Sequence, residues 1–224
     1  MNLAEEAVSR ILVHYGRHWA PRRDDPFKSL VRTILSQNTN YRNEDAAYTR
    51  LEEMVGVTPS AISEASVGRI AEAIRPAGMY NQRSLTLKKV ADAVLREYGG
   101  DLIPVLKKPY EEAREELMRL PGVGQKTADV VLLFSAGRGV IPVDRHINRI
   151  SKRLALVPEK ACYDDVRREL EGATSQENYL NVHVGMIQFG RDTCRALNPR
   201  CDECFLADLC PHPKKVTEVQ ELPF

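Results

Sequence analysis

The chain has 224 residues, of which 43% are hydrophobic and 28% charged, with a formal net charge of +1. That length suits one large domain or two small ones able to bury a core, and with no apolar run of about 18 residues no membrane-spanning helix is expected. The near-neutral balance does not by itself point to nucleic acid, since DNA-binding domains are often strongly basic.

The N-terminal stretch MNLAEEAVSRILVHYG reads as a short amphipathic helix with acids near its start. It lacks the basic region and apolar core of a signal peptide, so an intracellular protein is expected. Asn43, with Glu44 and Asp45 behind it, is expected to open a helix, and Ser66 to open another. From 84 to 100 the apolar residues are Leu87, Val90, Ala91, Val94, Leu95 and Tyr98, the spacing of one helical face. Ser84 is expected to cap that helix, and Gly99 and Gly100 to end it. Pro109, followed by acids, starts a helix carrying Ala113, Leu117 and Leu120 on one side. Residues 125–135 form a compact apolar helix stopped by Gly137. The run 140–143 is the one short candidate for a strand, and after it Asp144 opens a helix bearing Ile147, Ile150 and Leu154. Residues 215–224 read as a loose tail. The fold class is therefore all-α, with short connections between helices.

Three segments carry chemistry. The first is Leu120-Pro121-Gly122-Val123-Gly124-Gln125-Lys126-Thr127, which joins two apolar helices. Its glycines permit positive φ and close approach of another backbone. The turn runs into a helix N-terminus, where amides and the dipole favour an anion. Leu117, Leu120, Val123, Val130 and Val131 can lock the two helices together. An ordinary helix–turn–helix connection is the better explanation of a lone Gly-x-Gly; the apolar flanks and the Gln-Lys-Thr that follows shift the balance to a phosphate grip.

The second segment centres on Lys126 and Asp144. A lysine in a first helical turn runs against the dipole rule. The positive helix end and desolvation would favour the neutral amine that a nucleophile needs. The plain alternative is an exposed lysine on phosphate. Asp144 has the position of an N-cap. The same carboxylate, kept ionised, can stabilise positive charge on a sugar or take a proton from the lysine. Between 138 and 153 the charge is strongly basic: Arg138, Arg145, Arg149, Lys152 and Arg153 against Asp144 alone. His146 and Arg149 in that stretch are candidates for DNA contact, although a solvated helix face is the bland reading.

The third segment holds four of the five cysteines, Cys194, Cys201, Cys204 and Cys210, spaced C-x6-C-x2-C-x5-C. Four-cysteine zinc sites usually pair two C-x2-C knuckles, and only one exists here. A 4Fe–4S cluster fits the spacing better, with zinc as the alternative. Arg195 and Arg200 lie within this loop and can face phosphate. Cys162 stands apart.

These features, in this order, resemble the endonuclease III family of the helix–hairpin–helix DNA glycosylases over nearly the whole chain. LPGVGQKTADVVL resembles the family's hairpin, which implies phosphate contact at Gly122, Val123, Gly124 and Gln125 and a catalytic lysine at Lys126. VDRHINRI resembles the segment with the catalytic aspartate, here Asp144. The cysteine loop has the family's cluster spacing. Ala77-Gly78-Met79-Tyr80-Asn81 resembles the turn whose apolar residue fills the gap left by an extruded base, a role that would fall on Met79. Leu35-Ser36-Gln37-Asn38-Thr39 resembles the loop that faces the orphaned partner base, through Gln37 and Asn38. Two departures bear on substrate choice: Asn40-Tyr41 where the family commonly ends that loop with an acid, and Arg145 where Thr is common. Tyr41 either lines the pocket or points into the helical core.

The resemblance implies two helical domains flanking a DNA-binding cleft, a six-helix domain over 25–137 and a cluster domain formed by 1–24 with 138–224, with Lys126 and Asp144 facing across it. It implies a bifunctional glycosylase and abasic-site lyase that removes damaged, oxidised pyrimidines from double-stranded DNA. Such an enzyme is expected to be a nucleoid-associated monomer. Two rivals are a monofunctional uracil or thymine mismatch glycosylase, which would lack the lysine, and a non-catalytic DNA-binding module.

Overall fold

The protein is described by a computed structural model covering residues 2–16, 19 and 25–212. Among the described residues the regular structure is all helical, with no strand, and no helix is long and apolar enough to cross a membrane. The tail expected over 215–224 lies outside the described residues. The chain forms two compact units, Pro21–Arg138 and Met1–Ala20 with Gly139–Phe224.

In the unit Pro21–Arg138, α2 (Pro26–Ser36) begins at Asp25, whose carboxylate accepts from the Lys28 amide at 2.9 Å. Pro26 sits at its first turn, where the missing N–H costs nothing. The next helix, α3 (Tyr41–Met54), starts earlier than Asn43. The Asn40 side chain accepts from the Asn43 amide at 3.0 Å, so Asn40 is the cap and Asn43 lies inside the first turn. α4 (Pro59–Glu64) and α5 (Val67–Ala73) follow, the latter capped by Ser66 as expected.

The expected cap at Ser84 is a correction. α6 (Tyr80–Tyr98) begins four residues before it, and Ser84 is buried within the helix, its hydroxyl donating to Asn81 O at 3.0 Å. The helix ends at Gly99 in the left-handed region, φ 62°. After α7 (Ile103–Leu106) come α8 (Tyr110–Arg119) and α9 (Gln125–Ala136), the last ended by Gly137. α2 packs on α3, α6 and α9, and α8 packs on α9. Leu30, Ile34, Leu87, Val94, Val131 and Leu132 are all buried there. Each such side chain is worth about 1.5–3 kcal/mol relative to exposure. Asp129 of α9 is fully buried, yet it accepts from Arg114 Nε at 3.1 Å and from the Tyr110 hydroxyl at 2.9 Å. Those bonds tie α9 to α8 and keep a buried charge paired.

In the other unit, α1 (Leu3–Tyr15) is closed at its start by a reciprocal pair, Asn2 with Glu5. It lies along α12 (Tyr179–Asp192), which also receives α10 (Arg145–Arg153), while α11 (Tyr163–Gly172) packs on α1 and α10. Ile11, Ile147, Ile150, Val166, Met186 and Phe189 form its core. Residues 140–143 are buried but form no strand. Two of their amides donate to side chains: Ile141 N to Glu171 Oε1 at 3.0 Å and Val143 N to the Tyr163 hydroxyl at 3.1 Å. The apolar run that suggested a strand is core packing.

Candidate functional site

The hairpin is built as its composition requires. α8 ends at Arg119 and α9 begins at Gln125, leaving a five-residue turn from Leu120 to Gly124. Val123 N donates to Leu120 O at 3.1 Å, closing the turn. Leu117, Leu120, Val123, Val130 and Val131 are all buried, which anchors both helices beneath it. Gly122 has φ 75°, and a Cβ added there would lie 2.8 Å from Thr86 Cγ2 on α6, so this position requires glycine twice over. Gly122 and Gly124 are exposed, and Thr127 and Ala128 make the first bonds back to Gly124 O. Lys126 lies half-buried in this first turn, at the positive end of α9.

Two further loops of the same unit carry the residues expected to touch bases. Gln37 ends α2, and Asn38 follows with φ 54°. Both are exposed. Gly78 and Met79 have φ 74° and 48°, and Met79 is 52% exposed despite its apolar side chain. Tyr41 is 64% exposed at the start of α3, so it does not point into the core.

Sequence reasoning passed over Arg83, which joins these loops. Its Nη1 donates to Ala77 O at 2.6 Å and to Gly78 O at 3.0 Å, and its Nη2 donates to Gln37 O. The guanidinium is buried, and burial lowers its pKa from the usual range while leaving it charged at neutral pH. The available signal was its place one turn beyond Met79 on α6, within a stretch otherwise marked by apolar spacing. That helix thus carries Met79 at its start, Arg83 one turn on, and Thr86 against the hairpin glycine.

In the other unit, Asp144 caps α10, its carboxylate accepting from Ile147 N at 2.9 Å. His146 is half-buried, and burial, aided by Arg149 and opposed by Asp144, pushes its pKa below the usual value. A Cβ on Gly190 would lie 2.8 Å from His146 Nδ1, so glycine there lets α12 approach α10. Arg149, a candidate for DNA contact, turns toward the protein. Its Nη2 donates to Gly190 O at 3.0 Å and Cys194 O at 2.8 Å, and its Nε also reaches Cys194 O, at 3.1 Å. Arg200 is exposed and stands 3.6 Å from Glu203.

The four clustered cysteines line one pocket, whose wall also includes Arg153 and Phe189. Arg153 Nη1 donates to Cys194 Sγ at 3.5 Å and to Arg195 O at 2.6 Å, holding the loop against α10. Among the described residues no three His, Cys, Asp or Glu side chains gather closely enough for a single metal ion. Four cysteines on the wall of one pocket are the donor set of an iron–sulfur cluster. Burial pushes the Cys201, Cys204 and Cys210 thiols up, with the neighbouring cysteines adding to the shift. A cationic centre offsets both effects, because metal binding draws the thiolate form. Cys162 is exposed at the start of α11 and lines none of this pocket.

Residues 31–176 match the HhH-GPD superfamily of base excision DNA repair proteins. Residues 194–210, which begin and end on cluster cysteines, match the iron–sulfur binding domain of endonuclease III. The endonuclease III of Sulfolobus acidocaldarius is 35% identical over 187 residues, covering 83% of this chain and 82% of the relative. That of Thermotoga maritima is 31% identical over 208 residues, covering 93% and 92%. The solved structure of a trapped covalent intermediate of endonuclease III with DNA has a TM-score of 0.83 at 28% identity, covering 97% of this chain and all of the other.

Proposed function

This chain belongs to the endonuclease III family of the helix–hairpin–helix base excision repair superfamily, and on that footing we propose that Lys126 and Asp144 carry its chemistry. It is a DNA-binding glycosylase and abasic-site lyase with a 4Fe–4S cluster. The observation that carries the assignment is the half-buried Lys126 in the first turn of α9, directly after the exposed glycines of the hairpin.

A base in a duplex hides its glycosidic carbon within the stack, so it must first be extruded. Met79 fills the vacated space, and Gln37 and Asn38 meet the orphaned partner. The hairpin amides of Gly122, Gly124 and Gln125 hold a backbone phosphate, while the Val123 amide closes the turn on Leu120 O, and the strand is positioned without its sequence being read. Lys126, as the neutral amine, attacks C1′. The bond to the base breaks, its electron pair leaves on the base, and the base takes up a proton. The sugar ring opens to an imine with Lys126. Loss of a C2′ proton then expels the 3′ phosphate by β-elimination, and water releases the lysine. Asp144, held by the Ile147 amide, stabilises the positive charge that develops on the sugar and accepts the proton from Lys126.

Cys194, Cys201, Cys204 and Cys210 hold the cluster. Holding it would tie the four cysteines of the C-terminal loop together, and that loop presents Arg200 to phosphate. His146 and Arg149 support this face from α10. The substrates are oxidised pyrimidines and abasic sites in double-stranded DNA, met by a monomer working inside the cell on the nucleoid.

A single-turnover panel tests the reading: an oxidised pyrimidine, uracil and thymine opposite guanine, and an abasic site, each in duplex DNA. Oxidised pyrimidine and abasic duplexes should be nicked, and Asp144→Asn should slow base removal by about 10²-fold or more. Release of uracil or thymine without nicking would favour a monofunctional mismatch enzyme. Tight binding with no turnover on any duplex would favour a docking module.

A further inference from the structure

We infer that Arg83 is a positioning residue that fixes the orphan-base loop and the apolar wedge in one register, so that the two engage the duplex as a unit. This rests on the roles given above to Gln37, Asn38 and Met79. Arg83 is only 4% exposed, and its guanidinium has no carboxylate partner among the described residues. A buried charge without a counter-ion is costly unless its donors are satisfied. Arg83 places donors of both terminal nitrogens on three carbonyls from two segments far apart in sequence, Gln37 on one side and Ala77 with Gly78 on the other. A planar fork with donors on separate nitrogens suits that bridge; a single ammonium does not offer the same spread.

The acceptors are also placed where the backbone is least relaxed. Four non-glycine residues among those described have positive φ, and two of them, Asn38 and Met79, directly follow acceptor carbonyls of Arg83. Such conformations persist when the surroundings over-determine them. Arg83 supplies that constraint from the first turns of α6, and Met79 as the helix cap has no side-chain bond of its own. One side chain therefore sets the peptide planes that aim both Asn38 and Met79.

The test is a set of double-variant cycles on the full chain with its cluster, read as single-turnover base removal from an oxidised-pyrimidine duplex. Asn38→Ala, Met79→Ala and the pair are made with Arg83 present and in Arg83→Met. With Arg83 present, the pair should be slowed less than the product of the single effects, by at least about fivefold, because losing either loop already loses the joint arrangement. In Arg83→Met the effects should multiply to within about twofold, the tolerance expected of independent sites. Arg83→Lys keeps the charge on one donor atom and should show a smaller shortfall than the natural chain; it serves if Arg83→Met does not fold. An undiminished fivefold shortfall in the folded Arg83 variants overturns the bridge while leaving the loop roles intact. Unchanged rates in both Asn38→Ala and Met79→Ala overturn the loop reading and the bridge together.

Discussion

Gly122→Ala perturbs the hairpin at one defined point. At φ 75° the new Cβ occupies the left-handed region, which costs about 1–2 kcal/mol. The same Cβ lies 2.8 Å from Thr86 Cγ2, and overpacking of this kind costs about 1–3 kcal/mol. The reduced freedom of the unfolded chain returns about 0.4–1 kcal/mol. The net loss is about 1–5 kcal/mol, and at roughly 2–4 °C per kcal/mol for a chain of this size the melting temperature should fall by about 2–18 °C. Thr86→Ser separates the two causes. It deletes the methyl that the Cβ would strike and keeps a hydroxyl for the bond to Gln82 O. The double variant should recover the packing share and retain the backbone share. Thermal melting followed by circular dichroism reads this directly, with duplex affinity measured beside it. A Gly122→Ala chain that melts within about 2 °C of the natural one, or a Thr86→Ser partner that recovers nothing, refutes the reasoning.

Cys204→Ser should lose the visible absorption of the cluster and most of the iron, about four per natural chain, while Cys162→Ser keeps both; elemental analysis and absorbance decide it. Burial holds the folded-state pKa of His146 below the usual 6.5, so as pH falls the unfolded chain takes up that proton first. The stability owed to neutral His146 is whole above about pH 6.5 and is lost as pH falls through the lower folded value. His146→Gln should flatten that part of the melting-temperature profile, and an unaltered slope would contradict it. Tyr41→Asp places an acceptor at the exposed start of α3 and should raise base removal from oxidised pyrimidine relative to abasic-site nicking; equal change on both substrates would show that position 41 does not select the base.

What the sequence disclosed was what is local. The hairpin could be read because its glycines, buried flanks and following helix all fall between Leu117 and Val131. The cysteine loop could be read as a metal-binding segment because its four thiols lie within 194–210, though spacing left zinc open beside iron–sulfur. The misread starts of α3 and α6 share a cause. A cap was assigned to a plausible residue, but Asn40 rather than Asn43 had the geometry, and α6 begins at a left-handed Met79 held from Arg83. The bond from Arg83 to Gln37 spans 46 positions, and those from Arg149 to Gly190 and Cys194 span 41 and 45. A charged side chain looks solvated in sequence until the carbonyls that bury it are known. Residues 140–143 misled for the same reason, because the side chains of Glu171 and Tyr163 that accept from two of their amides come from a distant helix.

The most direct measurement of the central claim is borohydride trapping on an abasic duplex, followed by peptide mapping of the cross-link. Reduction should capture the imine on Lys126, and Lys126→Gln should form no cross-link while keeping duplex affinity within about threefold, since the hairpin and the other DNA contacts carry the binding. A cross-link mapped to another residue, or trapping and nicking by Lys126→Gln at the natural rate, would contradict the account.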